Sequence, residues 1–412
     1  MLRIINIIGS IILFLWISFF APILGGKYEF LFISAITVII LAVLILDKKA
    51  YKNAVDKKDL ALCVFIIAVV IGIARAENPE TAYKHFWYYV FPAPFLYFFG
   101  KITAMKGFSR PALKIICFIV FVVCLYGLWE LTSKNSFIYR KYFNNPYLSL
   151  YKNHRIMSFH VHPAPFGTYL LAVFPLIYIT VIMEKNSFFK NILRLLAAVV
   201  FICIILTFSR GVLLGLVLSL SIILFFTARA RKLYLVLGFL FLLIIVSSAF
   251  MHLKDNVAFY RYSLKGIFDW YAYSRKLVRF TVLGSILNDH PFFGLGLGHY
   301  RVLFDYYLPQ LANITDYDKK IADCMYVTIL AETGLIGCAA FFIFIYSVIK
   351  NTLIKLKEAL FNESRLILLG FFVGFVGIMC TFLTYDGLYW TAPCYLFWYY
   401  TGVLSSLNNN RI

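Results

Sequence analysis

Long apolar runs alternate with short polar breaks from one end of the chain to the other, and the runs have the length of bilayer-crossing helices, about 20 residues. Twelve spans are predicted, at about 5–24, 28–46, 59–75, 85–100, 112–132, 164–183, 192–208, 211–228, 233–251, 326–349, 366–385 and 388–406. Two breaks are long, 133–163 and 252–325. A third is short but sharp: Ser209-Arg210-Gly211 divides an apolar segment too long for one span, which puts Arg210 at the tip of a helical hairpin. An arginine at the edge of an apolar layer is costly without a partner, so it is a functional candidate, with a snorkelling helix-end arginine as the alternative. The pattern predicts an all-α polytopic membrane protein of about 12 transmembrane helices. It forms a single transmembrane domain, 1–412, in which 252–325 is one large outward-facing loop containing amphipathic helices.

Composition agrees. Hydrophobic residues make up 62% of the 412 and charged residues only 14%, which excludes a water-soluble domain. The first run, MLRIINIIGSIILFLWISFF, lacks a small-residue cleavage site and is followed at once by another span, so it is expected to stay as the first helix. The net charge of +20 arises largely from loops after even-numbered spans, such as Lys48 to Lys58, Lys101 to Lys114 and Lys350 to Arg365. The positive-inside rule makes those loops and both termini cytoplasmic, and removes nucleic acid as the reason for the charge. Seven of the eight cysteines sit in apolar segments without CxxC spacing and read as small hydrophobes.

The remaining cations gather in the two long outer loops, among them Arg155, Arg275, Lys276, Arg279, Arg301 and Lys319. An anionic ligand on that face is one explanation, and solvated loop charge is the other. From Ser274 to Leu287 the loop reads as an amphipathic helix, with Leu277, Val278, Phe280, Leu283, Ile286 and Leu287 on one side. Arg275 and Arg279, four apart, share another face, from which two guanidinium groups can fork onto phosphate oxygens. The GLGLG run of Gly294 to Gly298 predicts a tight turn whose amides could approach a ligand, although no strand precedes it as the dinucleotide fingerprint requires. His160 and His162 precede the sixth span, but no third ligand accompanies them and no metal site is expected. Asp323, at the mouth of the next span, could accept a proton from a hydroxyl or pair with Arg210 or Lys319.

Taken together, TFSRG (207–211), the arginine helix leading into NDHPFFGLGLGHY (288–300) and YVTILAETGLIG (326–337) resemble the O-antigen ligase and O-antigen polymerase superfamily of bacterial surface-polysaccharide enzymes. HPAPFGTYL (162–170) is similar to the segment that precedes the hairpin in that family. The resemblance implies a metal-independent, inverting membrane glycosyltransferase of the GT-C type, without a cofactor, in the bacterial inner membrane with its active site on the periplasmic face. Its donor would be a glycan on undecaprenyl diphosphate. The acceptor would be a second lipid-linked glycan in a polymerase, the reading favoured here, or lipid A-core in a ligase.

In ligases of this family two arginines grip the diphosphate and a loop histidine activates the acceptor. The first arginine falls on Arg210 and the second near Arg275, with Lys276 and Arg279 adjacent. Where relatives often read His-Asn-x-Tyr, this chain reads Asp323-Cys324-Met325-Tyr326, so either Asp323 is the base or His299 or His162 takes that part. Arg301, Arg279, Lys276, His162 and His299 complete the expected substrate-binding set. A flippase or exporter of lipid-linked sugars is the reading from another class, but no matching halves are visible and the polar residues lie at one face rather than at mid-depth.

Overall fold

The computed structural model describes residues 2–20, 29–46, 59–106, 110–133, 155–227, 270–308, 321–358 and 363–406. The predicted span at 233–251, most of both long loops, and Lys319 lie outside the described residues. Within them every regular element is helical, and six helices are long and apolar enough to cross a membrane. In chain order the helices are α1 (Leu2–Leu15), α2 (Glu29–Leu46), α3 (Asp59–Arg75), α4 (Pro79–His85), α5 (Pro92–Lys106), α6 (Arg110–Ser133), α7 (Pro163–Met183) and α8 (Ser187–Leu206). They continue with α9 (Arg210–Thr227), α10 (Trp270–Asp289), α11 (His299–Val302), α12 (Phe304–Tyr307), α13 (Met325–Glu358), α14 (Glu363–Thr381) and α15 (Thr391–Ser406).

The run predicted as one span at 85–100 is in two pieces. Asn78 caps α4 by accepting the Thr81 amide, α4 passes into a π turn over Phe86–Val90, and Pro92 opens α5. Proline has no N–H to continue the ladder but suits the first turn of a helix, so the break falls where the proline stands. A second break is inside α13, where Gly334 has φ 64° and ψ −170°, far from helical values.

Helices α7, α14 and α15 are buried along almost their whole length and form the centre of the bundle. By contrast α8 turns Phe188, Leu195 and Ile202 outward, as a lipid-facing helix would. Close backbone approach holds the centre together. At the crossing of α5 and α15 a Cβ on Gly100 would overlap the Tyr399 carbonyl and one on Gly402 the Tyr97 carbonyl, the small-residue contact that membrane helices use in place of a hydrophobic drive.

One end of the bundle is held by ions. Lys101, 1% exposed, places Nζ 2.8 and 2.9 Å from the two carboxylate oxygens of Asp59, and the Tyr97 hydroxyl donates to the same carboxylate at 2.8 Å. Lys101 was counted in the loop after the fourth predicted span; it lies within α5 instead, and its four-carbon stem carries the charge into the junction of α3, α5 and α15. Beside it the Lys355 ammonium donates to the carbonyls of Leu404 and Ser405 at the end of α15, and Arg110 pairs with Glu363. All three cations were counted in the loops expected to be cytoplasmic from the lysine and arginine distribution.

Removing one member of a buried pair strands the other charge, at a cost of about 3–5 kcal/mol. Lys101→Ala is therefore expected to lower the thermal unfolding midpoint of the detergent-solubilised protein markedly, whereas the double variant Lys101→Met/Asp59→Leu recovers much of the loss.

Candidate active site

At the opposite end the organising segment is Phe382 to Trp390, sequence FLTYDGLYW, between α14 and α15. Its backbone and side chains meet four other parts of the chain. The Met325 amide at the start of α13 donates to the Phe382 carbonyl at 2.9 Å. The Tyr385 hydroxyl donates to Thr168 on α7 at 2.7 Å, and the Trp390 ring lies 5.6 Å from that of His162, which caps α7 by accepting the Ala164 amide. Gly211, second residue of α9, sits so close to Thr384 that a Cβ there would overlap it. Tyr389 reaches Glu332 on α13 and accepts the Gly298 amide at 3.2 Å.

Two carboxylates and an arginine come together on this scaffold. Asp323 adopts a left-handed φ of 48°, just before α13. Arg279 on α10 donates through Nη1 to the carbonyls of Ala322 and Asp323 at 3.2 and 3.3 Å, stacks over Phe280, and has no hydrogen-bond partner at its buried Nε. Asp386 accepts from the Thr328 hydroxyl at 2.6 Å. Burial pushes the Asp386 carboxyl up to about 6, with the Asp323 charge adding to the rise, while the Thr328 hydroxyl, the Cys324 amide and Arg279 oppose it. Arg275 and Lys276 lie on the same helix as Arg279; their side chains are outside the described residues.

The hairpin is made as the sequence predicts. Helix α8 ends at Leu206, Phe208 turns with φ 47°, and Arg210 opens α9 with its side chain exposed. Arg155, counted among the outer-loop cations, is only 5% exposed. Its Nε donates at 2.8 Å to the Thr207 carbonyl, so one of its donors ties down the end of α8 rather than facing an open loop. Glu130 on α6 accepts the Ser158 amide at 2.7 Å and anchors the same segment.

The glycine-rich turn closes on the protein itself. Leu295 and Gly296 donate their amides to the carbonyls of Ala331 and Glu332 at 3.0 Å each, and Leu335 and Ile336 return bonds to Pro291 and Phe292. This exchange is what the Gly334 break in α13 makes room for. Gly298 has φ 73° and lies against the His85 ring, and its amide, like those of Leu295 and Gly296, has a partner inside the fold. His299 is fully buried. Its Nε2 accepts the Asn78 amide at 2.9 Å and its Nδ1 lies 2.9 Å from the Leu297 carbonyl, so both ring nitrogens are engaged within the fold. Arg301 is exposed. His160 is buried without a hydrogen-bond partner, and burial lowers its pKa to about 3. Among the described residues no three His, Cys, Asp or Glu side chains converge as metal ligands.

The sequence reading missed Asp386, Tyr389 and Glu332. A lone acid between two apolar runs was the available signal for Asp386, and the acid of the AETG segment was the signal for Glu332.

Six helices long and apolar enough to cross a membrane, an exposed arginine at a hairpin tip, and Asp323 and Asp386 brought near each other at one end of the bundle define the class as a helical membrane protein with a polar cluster at one end. Residues 195–342 match the family described as O-antigen ligase, which bears out the resemblance to the O-antigen ligase and polymerase superfamily. The match takes in the hairpin, the arginine helix, the glycine turn and the first turns of α13, but stops short of Asp386. No curated protein matches the chain.

A side chain at Gly298 would meet both a left-handed backbone, at about 1–2 kcal/mol, and the His85 ring. Gly298→Ala is expected to loosen the turn, read as faster hydrogen exchange over 290–300 with exchange in α7 unchanged.

Proposed function

We propose that the protein is a metal-independent, inverting glycosyltransferase that moves a glycan from undecaprenyl diphosphate to a sugar hydroxyl. The observation that carries this reading is the approach of the Arg210 hairpin, through Gly211 and Thr384, to the segment bearing Asp386 and so to Asp323 and Arg279, within and beside the O-antigen ligase match. The acceptor hydroxyl gives its proton to Asp323. Its oxygen bonds to the anomeric carbon with inversion as the bond to the diphosphate oxygen breaks. Arg210 and Arg275 hold the departing diphosphate, whose growing charge they stabilise from fixed positions. Arg279 holds the Asp323 backbone, and Asp386, carrying a second negative charge beside Asp323, makes the pair a better proton acceptor.

The acceptor in this reading is a second lipid-linked glycan, which makes the enzyme an O-antigen or exopolysaccharide polymerase. Asp323 at the position where ligases often carry histidine supports that choice. The chain would be one transmembrane unit in the bacterial inner membrane, with cytoplasmic termini and the site on the periplasmic face, in keeping with the basic loops at the Lys101 end.

Incubating purified protein with undecaprenyl-diphosphate-linked glycan should release undecaprenyl diphosphate and lengthen the glycan without lipid A-core. Extension only when lipid A-core is present would make it a ligase, and no release at all would favour an exporter. Arg210→Ala is expected to abolish transfer while leaving the unfolding midpoint within a few degrees of the parent.

The pH dependence follows from Asp386. Below about 6 its carboxyl is protonated and the pair is a weaker acceptor, so kcat should rise with pH through that value. Asp386→Asn is expected to flatten this acid limb and lower kcat; a limb unchanged in that variant would remove Asp386 from the mechanism.

A further inference from the structure

Glu332 is 2% exposed on α13, about two and a half turns beyond Asp323, and nothing in the proposed transfer step uses it. Its two carboxylate oxygens are divided between two different parts of the chain. Oε1 accepts the Tyr300 amide at 3.2 Å, at the end of the glycine turn that follows the Arg279 helix. Oε2 accepts the Tyr389 hydroxyl, three residues beyond Asp386. The Gly298 amide closes the ring by donating to the same Tyr389 oxygen at 3.2 Å, while the His85 ring packs against Tyr389 with centroids 5.0 Å apart.

We infer that Glu332, with Tyr389, is a positioning clasp that sets the spacing of the Arg279 helix and the Asp386 segment about Asp323. The inference rests on the transfer reading for its kinetic consequence, but its geometry stands apart from it.

A buried carboxylate is retained at a cost unless each oxygen is used, and here both are, by donors from separate elements. Both receiving elements enter the candidate site: the turn leads back through α10 to Arg279, and the Tyr389 segment carries Asp386. Helix α13 is broken at Gly334, two residues past Glu332, so the helix ladder does not by itself fix the turn there; the exchange of bonds with 291–296 and the carboxylate do. A misplacement of about 1 Å in a catalytic group can cost on the order of a hundredfold in rate, so a clasp of this kind controls kcat more than substrate affinity.

Tyr389→Phe removes one hydroxyl and keeps the ring, and Glu332→Gln keeps the shape while replacing one accepting oxygen by an NH2 donor. In full-length protein reconstituted in lipid nanodiscs, each is expected to lower kcat at least tenfold with the donor KM within about twofold. The double variant should be no worse than the poorer single, because the two groups act as one unit. Hydrogen exchange should rise together over 290–300 and 382–390 in Tyr389→Phe, with α7 and α14 unchanged. Unchanged exchange over 290–300, additive losses in the double variant, or a rise in KM without a fall in kcat would each overturn the clasp. Should the parent protein transfer no glycan, the enzyme reading falls, and the exchange measurement alone still decides for or against the clasp.

Discussion

Inside an apolar helical bundle water is not at hand to satisfy a polar group, so each buried charge and each broken backbone ladder must find its partner in the protein. The architecture of this chain follows from that constraint. At one end Lys101 and Asp59 neutralise each other, with the Tyr97 hydroxyl donating to the same carboxylate. At the other, the carbonyls and amides released where α13 breaks at Gly334 are taken up by the glycine turn, and the carboxylate of Glu332 by Tyr300 and Tyr389.

The same constraint separates polar residues buried within the frame from those exposed at its edge. Histidine and arginine attract functional readings wherever they stand in an apolar sequence, yet both nitrogens of His299 are engaged within the fold and Arg155 spends a donor on the end of α8. Arg210 differs in kind: it opens its helix with an exposed side chain, beside a segment that carries a carboxyl with a raised pKa. In the proposed site the buried polar groups serve as a frame. Such a frame is what charge stabilisation from fixed positions requires.

Much of this was legible in the residues. The hairpin at Ser209-Arg210-Gly211 followed from span length, and the arginine helix from its periodicity, because both signals are local. The match over 195–342 bears out the family seen in the motifs. The glycine turn was legible as a turn but not as a clasp, since its amides bind a helix break that lies more than thirty residues away. Lys101 was misplaced because a lysine one residue past an apolar run looks the same whether it meets water or an aspartate from a distant helix.

By itself the sequence determined a helical membrane protein, the order of its apolar segments and the positions of its candidate cations, because hydropathy and periodicity act over a few turns of chain. Only the tertiary structure decided which of the polar residues meet. Asp386 comes to Asp323 and Arg279, and Glu332 to Tyr389 and Tyr300, across separations that no local pattern encodes. The reason is physical: the partner of a buried polar group is chosen by the packing of whole helices, which close glycine contacts such as those of Gly100, Gly211 and Gly402 bring together.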